Sequence, residues 1–208
     1  MFWLVFAMNA RILPEGPCAW CRAARLQRQH AARGFTLLEM LVSLAVVAVL
    51  VKVAVPSLNP VIDSVKLSSA TNLFVSGLIL ARSEAIKRNS RVALCKSLDG
   101  LSCAADGGWE QGWIVFHDAN NNSLRENSES ILRRAKPLSS SLRLTGNQNV
   151  ARYVSFAPSG ATKLIGGGFQ AGTLTVCRHS TGGGEARQII LNAVGRPRVQ
   201  KTAVDSCA

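Results

Sequence analysis

The chain has 208 residues, a formal net charge of +12 and a charged-residue content of only 17%. At about 100 to 200 residues per domain, this length leaves room for one globular domain with an appendage and little more, so we expect one domain. The composition is otherwise ordinary for a globular protein. The basic excess and the scarcity of charge therefore have to be located along the chain.

An apolar stretch at residues 37–55 is interrupted by Glu39, Ser43 and Lys52. Its length is close to the roughly 20 residues that cross a bilayer as a helix, so it predicts a single membrane span. The preceding segment carries basic residues and no acidic one from residue 18 up to Glu39: Arg22, Arg25, Arg28 and Arg33. This asymmetry predicts a cytoplasmic N-terminus and an exported, periplasmic remainder. Residues 56–60 (PSLNP) lack the small-residue site of a conventional secretory signal.

The junction of the basic segment and the apolar stretch reads RGFTLLEM at residues 33–40. A basic residue and a glycine are followed at once by an apolar run with one carboxylate. This motif resembles the class III signal of type IV pilins and pseudopilins. The resemblance implies that a membrane-embedded prepilin peptidase cuts between Gly34 and Phe35 and methylates the new N-terminus of Phe35.

Glu39 is the carboxylate within the predicted span. A charged side chain near the centre of a bilayer costs about 2.5 to 3.5 kcal/mol on insertion scales, so Glu39 is expected to have a partner. Cleavage creates an α-amino group on Phe35, and the equivalent amine of a neighbouring subunit would neutralise Glu39 during assembly. The alternative is that Glu39 lies near the cytoplasmic interface and extends its carboxylate towards water.

The segment before the cleavage site, residues 1–34, is long for a pilin leader. We expect that the start codon is assigned too far upstream. Cys18 and Cys21 form a CxxC pair within it, but without a second pair they are weak evidence for a metal site, and a discarded leader is favoured.

The exported part begins with the second half of a long helix and continues with β-strands. Residues 35–55 form the membrane half of the helix and residues 56–90 its periplasmic, amphipathic half, ending near residues 89–90; Pro56 can kink it. Apolar residues recur at spacings of three and four on two stripes: Leu58, Ile62 and Val65, then Phe74, Leu78, Ala81 and Ala85. Residues 91–208 form a β-rich globular domain, so the fold class is α+β. The predicted strands are 91–96, 112–117, 131–136, 153–157, 173–178, 186–192 and 197–202.

The segment GWIVFHDANNN at residues 112–122, continued to residue 132, resembles the central hairpin of the GspH/FimT pseudopilin family. With the N-terminal motif, the paired cysteines and the closing GRPR at residues 195–198, the resemblance covers residues 34–208. It implies a type IV pilin-like fold, with a long N-terminal membrane helix and a globular domain of antiparallel strands. Side chains of the hairpin loop could supply oxygen ligands to calcium. We expect a polar turn instead, on the interpretation that the EF-hand glycine and the spacing of its terminal glutamate are missing. The loop residues concerned are Asp118, Asn120, Asn122 and Glu126.

Four cysteines follow the predicted span and indicate two disulfides in an exported domain. Their spacing favours Cys95 with Cys103 and Cys177 with Cys207, although four cysteines allow three pairings. No cofactor and no metal ligand set is predicted.

The basic excess is concentrated towards the C-terminus. Residues 143–208 contain eight basic residues and two acidic ones, a net of +6. Such a face suits a polyanion. The GRPR segment holds Arg196 and Arg198 near one another, and guanidinium pairs bind phosphates well. It resembles the GRxR element of FimT minor pilins, which implies non-specific binding of double-stranded DNA, with Arg187, Arg178 and Lys201 as supporting candidates. The alternative is that these arginines are solvated or pair with acidic residues of another filament subunit.

Two functional hypotheses follow. The first is a FimT-like minor pilin that helps capture DNA in natural transformation and pilus biogenesis. The second is a GspH-like minor pseudopilin of a type II secretion system. Both have other pilins or pseudopilins, the prepilin peptidase and the inner membrane as partners. An enzyme is not expected, because the exported histidines, His117 and His179, belong to no recognisable nucleophile or metal signature.

Overall fold

A single helix, α1 (Leu37–Arg88), opens the part of the chain that the structure, a computed structural model, describes, which is residues 34–207. The leader predictions, including Cys18 and Cys21, fall outside these residues. The chain divides after Val47 into two compact units. The helix is unbroken through residues 56 and 60, although both positions are prolines.

Both ends of α1 have recognisable caps. At the start, the Thr36 hydroxyl accepts the backbone N–H of Glu39 at 3.2 Å, which is the bond of a threonine N-cap. At the end, Asn89 has a φ of 47°. The Ser90 N–H bonds to the Ala85 carbonyl and the Asn89 N–H to the Ile86 carbonyl, each at 3.2 Å, as in a Schellman motif. The predicted end near residues 89–90 is confirmed.

The first unit, as far as it is described, is the N-terminal part of α1. Its side chains are exposed: Leu37 by 78% and Leu38 by 71%. The same exposure continues through residues 48–52 at the start of the second unit. A run of bare aliphatic side chains of this extent marks a surface that meets lipid or protein rather than water.

The second half of α1 forms one wall of the hydrophobic core. Phe74, Leu78, Ala81 and Ala85, the predicted second stripe, have no exposed surface, which confirms their spacing as a core face. By length and composition, Pro60–Arg88 is the stretch of the described residues that would qualify as a membrane-crossing helix. Because this stretch carries those buried side chains, we interpret it as the core helix of the globular unit.

Two antiparallel four-stranded sheets follow α1. Sheet one has the order β3-β2-β1-β5 and sheet two the order β4-β6-β7-β8. The strands are β1 (Val92–Lys96), β2 (Trp113–His117), β3 (Ile131–Ala135), β4 (Leu142–Gly146), β5 (Tyr153–Phe156), β6 (Gly172–Arg178), β7 (Gly184–Leu191) and β8 (Pro197–Val204). All seven predicted strands are present, and β4 was missed.

The centre of the core is an aromatic cluster. The Phe74 ring meets the rings of Trp109 and Trp113 edge-to-face, with centroids 5.0 Å away in both cases. The Trp109 indole N–H donates to the Val150 carbonyl at 3.0 Å, so its polar atom is satisfied inside the core. Inward-facing residues of both sheets complete the cluster.

Two disulfides close loops in the second unit. Cys95 is joined to Cys103 and Cys177 to Cys207, the pairings that the spacing favoured. The first crosses eight residues and the second thirty. In the chain-entropy account, loops of these sizes contribute about 2 to 4 kcal/mol each. The second bond fixes the end of the chain beside β6.

We predict that Phe74→Ala destabilises the globular unit by about 3 to 5 kcal/mol, because it removes a buried ring from between two indoles. Urea unfolding of the purified chain in a non-ionic detergent, followed by tryptophan fluorescence, measures the loss. Ile79→Ala is the matched control on the same helix: Ile79 is 55% exposed, so its effect is expected to stay within about 0.5 kcal/mol. Equal effects of the two substitutions would contradict this packing.

Candidate functional site

The predicted processing segment precedes the first turn of α1. Gly34, Phe35 and Thr36 are non-helical, and Phe35 is 77% exposed. A methyl group placed on Gly34 would meet no atom within 4 Å. The backbone there is also outside the left-handed region. The described structure therefore gives no steric reason for a glycine at residue 34.

Glu39 lies in the first turn of α1 and is exposed. A carboxylate in this position is favoured by the partial positive charge of the helix N-terminus. None of the ion pairs in residues 34–207 involves Glu39. Its charge is therefore open to a partner from outside this part of the chain.

The GRPR segment forms the turn between β7 and β8. Gly195 has a φ of 76°, and a methyl group on it would lie 2.1 Å from the Gly160 carbonyl oxygen. Its N–H donates to the Asn192 carbonyl at 2.9 Å, and the Asn192 side chain accepts the Arg196 N–H at 2.9 Å. Glycine is thus required at this residue, and the turn fixes the backbone from which Arg196 extends.

Arg196 and Arg198 are both exposed. Arg196 lies just before β8, and Arg198 is the second residue of β8. The Arg198 guanidinium donates to the Gln200 side-chain oxygen at 3.1 Å. Neither arginine belongs to an ion pair among the described residues. Since β8 is an edge strand of sheet two, the structure brings together two uncompensated guanidinium groups at one margin of the domain.

The three supporting candidates do not join this pair. Arg187 is only 3% exposed, and its guanidinium donates to Glu185 at 2.7 Å and to the Ser64 hydroxyl at 3.1 Å. Its prediction as a DNA contact is wrong, because it is buried between sheet two and α1. Arg178 is half-exposed but bonded to Asp63 of the helix.

Lys201 is exposed, but it lies on the other face of β8. It pairs in register with Arg187, and Arg198 pairs with Ile190. Since residues of odd and even number point to opposite faces of a strand, Lys201 projects on the helix side of the sheet and Arg198 on the other. The cluster therefore contracts to Arg196 and Arg198.

The loop between β2 and β3 has a carboxylate near each end, Asp118 and Glu129, at EF-hand spacing. Glu129 stands at the twelfth position counted from Asp118, which is the spacing of the terminal glutamate in an EF-hand. The expectation that this spacing is missing was wrong. The sixth position, where an EF-hand has glycine, is Ser123 with a φ of 57°.

The carboxylates of this loop bond to its own backbone. Asp118 accepts the N–H groups of Asn122 at 3.0 Å and Ser123 at 3.1 Å, and Glu129 accepts that of Ala119 at 2.8 Å. Burial raises the pKa of the Asp118 carboxyl above its usual range, against the opposing effect of the Ser123 amide. Within residues 34–207, no group of three or more His, Cys, Asp and Glu side chains is arranged to hold a metal ion. The two carboxylates thus hold the loop to its own backbone.

The two histidines of the globular unit lie apart in the fold. A ring nitrogen of His117 lies 2.8 Å from the Ser90 hydroxyl, and one of His179 lies 3.2 Å from the Cys207 carbonyl oxygen. The first contact places a base within reach of a hydroxyl, but among the described residues neither histidine is oriented by an acidic side chain. Both read as local structural hydrogen bonds.

Two family models match the chain. The model described as Type II transport protein GspH matches residues 70–195, which is more than half of the chain. The model of the Prokaryotic N-terminal methylation motif matches residues 29–51, a segment that includes Gly34, Phe35 and Glu39.

The chain belongs to the GspH family. Pilin-like protein PilA1 of Thermus thermophilus is 28% identical over 179 residues, covering 81% of this chain and 98% of that protein. The structure of the type IV minor pilin FimU of Pseudomonas aeruginosa is also similar. The superposition includes 70% of this chain and 98% of the FimU chain, with 18% identity and a TM-score of 0.51. For the minor pseudopilin EpsH from the Type 2 Secretion System of Vibrio cholerae, the superposition includes 65% of this chain and 96% of the EpsH chain, with 13% identity and a TM-score of 0.44.

The GspH family model confirms the family that the sequence motifs indicated, and the likeness to FimU confirms the fold. The fold is type IV pilin-like, with an N-terminal helix followed by antiparallel sheets. This GspH-family chain is a minor pilin or pseudopilin, a subunit of a type IV pilus or of a type II secretion system. Its family is one of structural filament subunits, which implies contacts with other pilins and anchoring through the apolar helix.

We predict that Gly195→Ala destabilises the globular unit by at least about 1 kcal/mol, because alanine is strained at positive φ and its methyl group meets the Gly160 carbonyl. Gly166→Ala is the control, since a methyl group there meets nothing within 4 Å. Thermal unfolding of the two variants in the same detergent compares them. A Gly195→Ala protein as stable as the parent would show that this turn is not held as described.

Proposed function

We propose that this chain is a FimT-like minor pilin that binds double-stranded DNA without sequence preference, in DNA uptake and pilus biogenesis. The observation that supports this proposal most directly is the exposed, unpaired state of Arg196 and Arg198 on a turn that Gly195 holds in place. Two other cations of sheet two bond to acidic residues of the chain itself, Arg187 to Glu185 and Arg178 to Asp63.

Guanidinium groups recognise phosphate oxygens through paired N–H donors. Contacts to the phosphate backbone position a protein on DNA but read no bases. Each phosphate contact releases bound counterions, so the affinity falls steeply with salt. A domain that presents two such groups at one margin is suited to capturing any duplex, which is what uptake of extracellular DNA requires.

The proposal includes processing at the inner membrane. Prepilin peptidase would cut between Gly34 and Phe35 and methylate Phe35, while residues 35–55 anchor the chain as a single pass. The N-terminus would face the cytoplasm and residues 91–208 the periplasm. The open space around Gly34 supports this, because a glycine that its own fold does not need is explained by a requirement of the peptidase.

Glu39 has the assembly role in this proposal. Its exposed carboxylate in the first helical turn would pair with the methylated amine of Phe35 in a neighbouring subunit. Removal of both charges from lipid favours the assembled state over isolated subunits. The pairing would also fix the register of neighbouring helices.

The second candidate is a GspH-like minor pseudopilin of a type II secretion system. The family model that matches residues 70–195 carries the description of a type II transport protein and supports this candidate. In that setting, Arg196 and Arg198 would pair with acidic residues of an adjacent filament subunit.

We predict that the purified chain in an uncharged detergent binds duplexes of unrelated sequence with equal affinity, and that log affinity falls linearly with log salt. The double variant Arg196→Gln, Arg198→Gln reduces that slope by about two, because two phosphate contacts are lost. Fluorescence anisotropy with labelled duplexes across a salt series measures both quantities.

The control for this experiment is Lys136→Gln, which removes an exposed charge beside sheet one. Its slope is expected to match that of the parent. A parent chain that does not bind DNA would remove the uptake proposal and favour the secretion candidate.

We also predict that Gly34→Arg leaves the precursor uncut, because the fold accommodates the side chain but the peptidase does not. Mass spectrometry of the membrane-extracted protein checks this. The parent is expected to start at a methylated Phe35, and the variant to retain the residues before it. A parent that keeps Gly34 would contradict the processing proposal.

A further inference from the structure

The face of sheet two that turns away from α1 carries neutral polar side chains beside Arg143, Ile190 and, at one end, the Cys177–Cys207 disulfide. Leu174 and Ile189 point into the core, so their neighbours along β6 and β7 point outwards. One row of these residues crosses all four strands in register. Its members are Thr145, Thr175, Gln188 and Gln200, and we call the surface around this row the outer face.

The outer face is free of carboxylates from its own strands. Glu185 of β7 stands two residues before Arg187 and bonds to it, so it projects on the helix side. The acidic group at the margin is Glu110, which lies 3.8 Å from Arg143 and accepts the Leu144 N–H at 3.1 Å. The face therefore carries hydroxyl and amide donors with no opposing negative charge except one already engaged with a cation.

A hydrogen-bonded chain connects Arg198 to this face. The Arg198 guanidinium donates to the Gln200 side-chain oxygen at 3.1 Å, and the Gln200 amide donates to the Gln188 side-chain oxygen at 2.8 Å. The first bond runs along β8 and the second crosses to β7, and together they hold Arg198 over the outer face rather than over the helix side. The cationic margin and the polar surface are thus continuous.

Resting on the proposed function, we infer that the duplex lies along the outer face and not only against the turn. Its backbone would run from Arg196 and Arg198 across Gln200 and Gln188 to Thr175. Amide and hydroxyl groups contribute to phosphate contacts alongside arginines. Four strands at about 4.8 Å spacing are about 14 Å wide, which accommodates about four steps of a DNA strand at 3.4 Å each.

Charge complementarity selects this occupant over an acidic protein segment bound at the turn alone. A phosphate backbone is a continuous line of negative charge, and the Arg187 cation on the helix side of β7 is buried and already bonded to Glu185. Lys201, on that side, would then make no contact with the duplex.

The test places one negative charge on either face of the β7–β8 pair in the full chain. Gln188→Glu keeps the shape and the oxygen that accepts the Gln200 amide, but puts a carboxylate at the centre of the outer face. Ala203→Glu puts the same charge on an exposed residue of the opposite face. Both variants have the same net charge, so a difference between them reports the path of the DNA.

We expect Gln188→Glu to weaken duplex binding by at least about tenfold and Ala203→Glu by less than about twofold, because like charges repel strongly at close range. Thr202→Glu is a second variant that puts a negative charge on the outer face. Because Thr202 lies on the edge strand, this variant does not alter the centre of the sheet. Circular dichroism melting confirms that each variant is folded.

The outcomes separate the two proposals. If the parent does not bind DNA, both fail. If the parent binds and the arginine double variant does not, but Gln188→Glu and Thr202→Glu bind as the parent does, the duplex is held by the turn alone and this inference is overturned. Equal losses in Gln188→Glu and Ala203→Glu would also overturn it, since they would reflect net charge alone.

Discussion

The structure depends on one helix that presents apolar surface in two different ways. In the second half of α1, Phe74 and Leu78 are covered by two sheets. In the first half, residues such as Leu37 and Leu38 are left bare. Burial of aliphatic area contributes about 25 cal/mol per Å², so an uncovered run of this extent is stable only beside lipid or other helices. That requirement is what a filament subunit with a membrane-stored precursor satisfies, and the family match is consistent with it.

The cations of the globular unit divide into two groups with different physical roles. Arg187 and Arg178 bond to residues of α1 and attach sheet two to the helix. Burying a guanidinium is costly unless it is paired, and Arg187 meets this condition through Glu185 and Ser64. Arg196 and Arg198 form no ion pair among the described residues and do not contact the helix in this way. The turn at Gly195 projects them outwards. Charge counted along the sequence overstated the available patch because it did not distinguish these groups.

The sequence predicted the parts of the molecule that follow from local patterns. Phe74, Leu78, Ala81 and Ala85 repeat at helical spacing and form the core face, and the strands with apolar runs were located closely. The missed strand, β4, alternates Leu142 and Leu144 with polar residues, but it follows three serines and includes Gly146, so its local pattern is weak. Its assignment depends on pairing with β6, which is distant in sequence.

The fate of individual polar residues was less predictable. Arg187 alternates with Ile189 and Leu191 on one face of β7, and its burial follows from the packing of that face against the helix. The face occupied by Lys201 depended on the register of β8 against β7. In contrast, the sequence spacing of the cysteines predicted both disulfide pairs correctly. Cys95 and Cys103 are eight residues apart, and Cys177 and Cys207 are thirty residues apart.

The most direct test of the account is whether Glu39 controls entry into filaments. Filaments sheared from cells that express the parent, Glu39→Gln or Lys52→Gln would be purified and assayed for the chain by quantitative mass spectrometry. The account predicts that the parent and Lys52→Gln are incorporated alike, and that Glu39→Gln is processed but remains in the membrane fraction. Incorporation of Glu39→Gln at the level of the parent would contradict it.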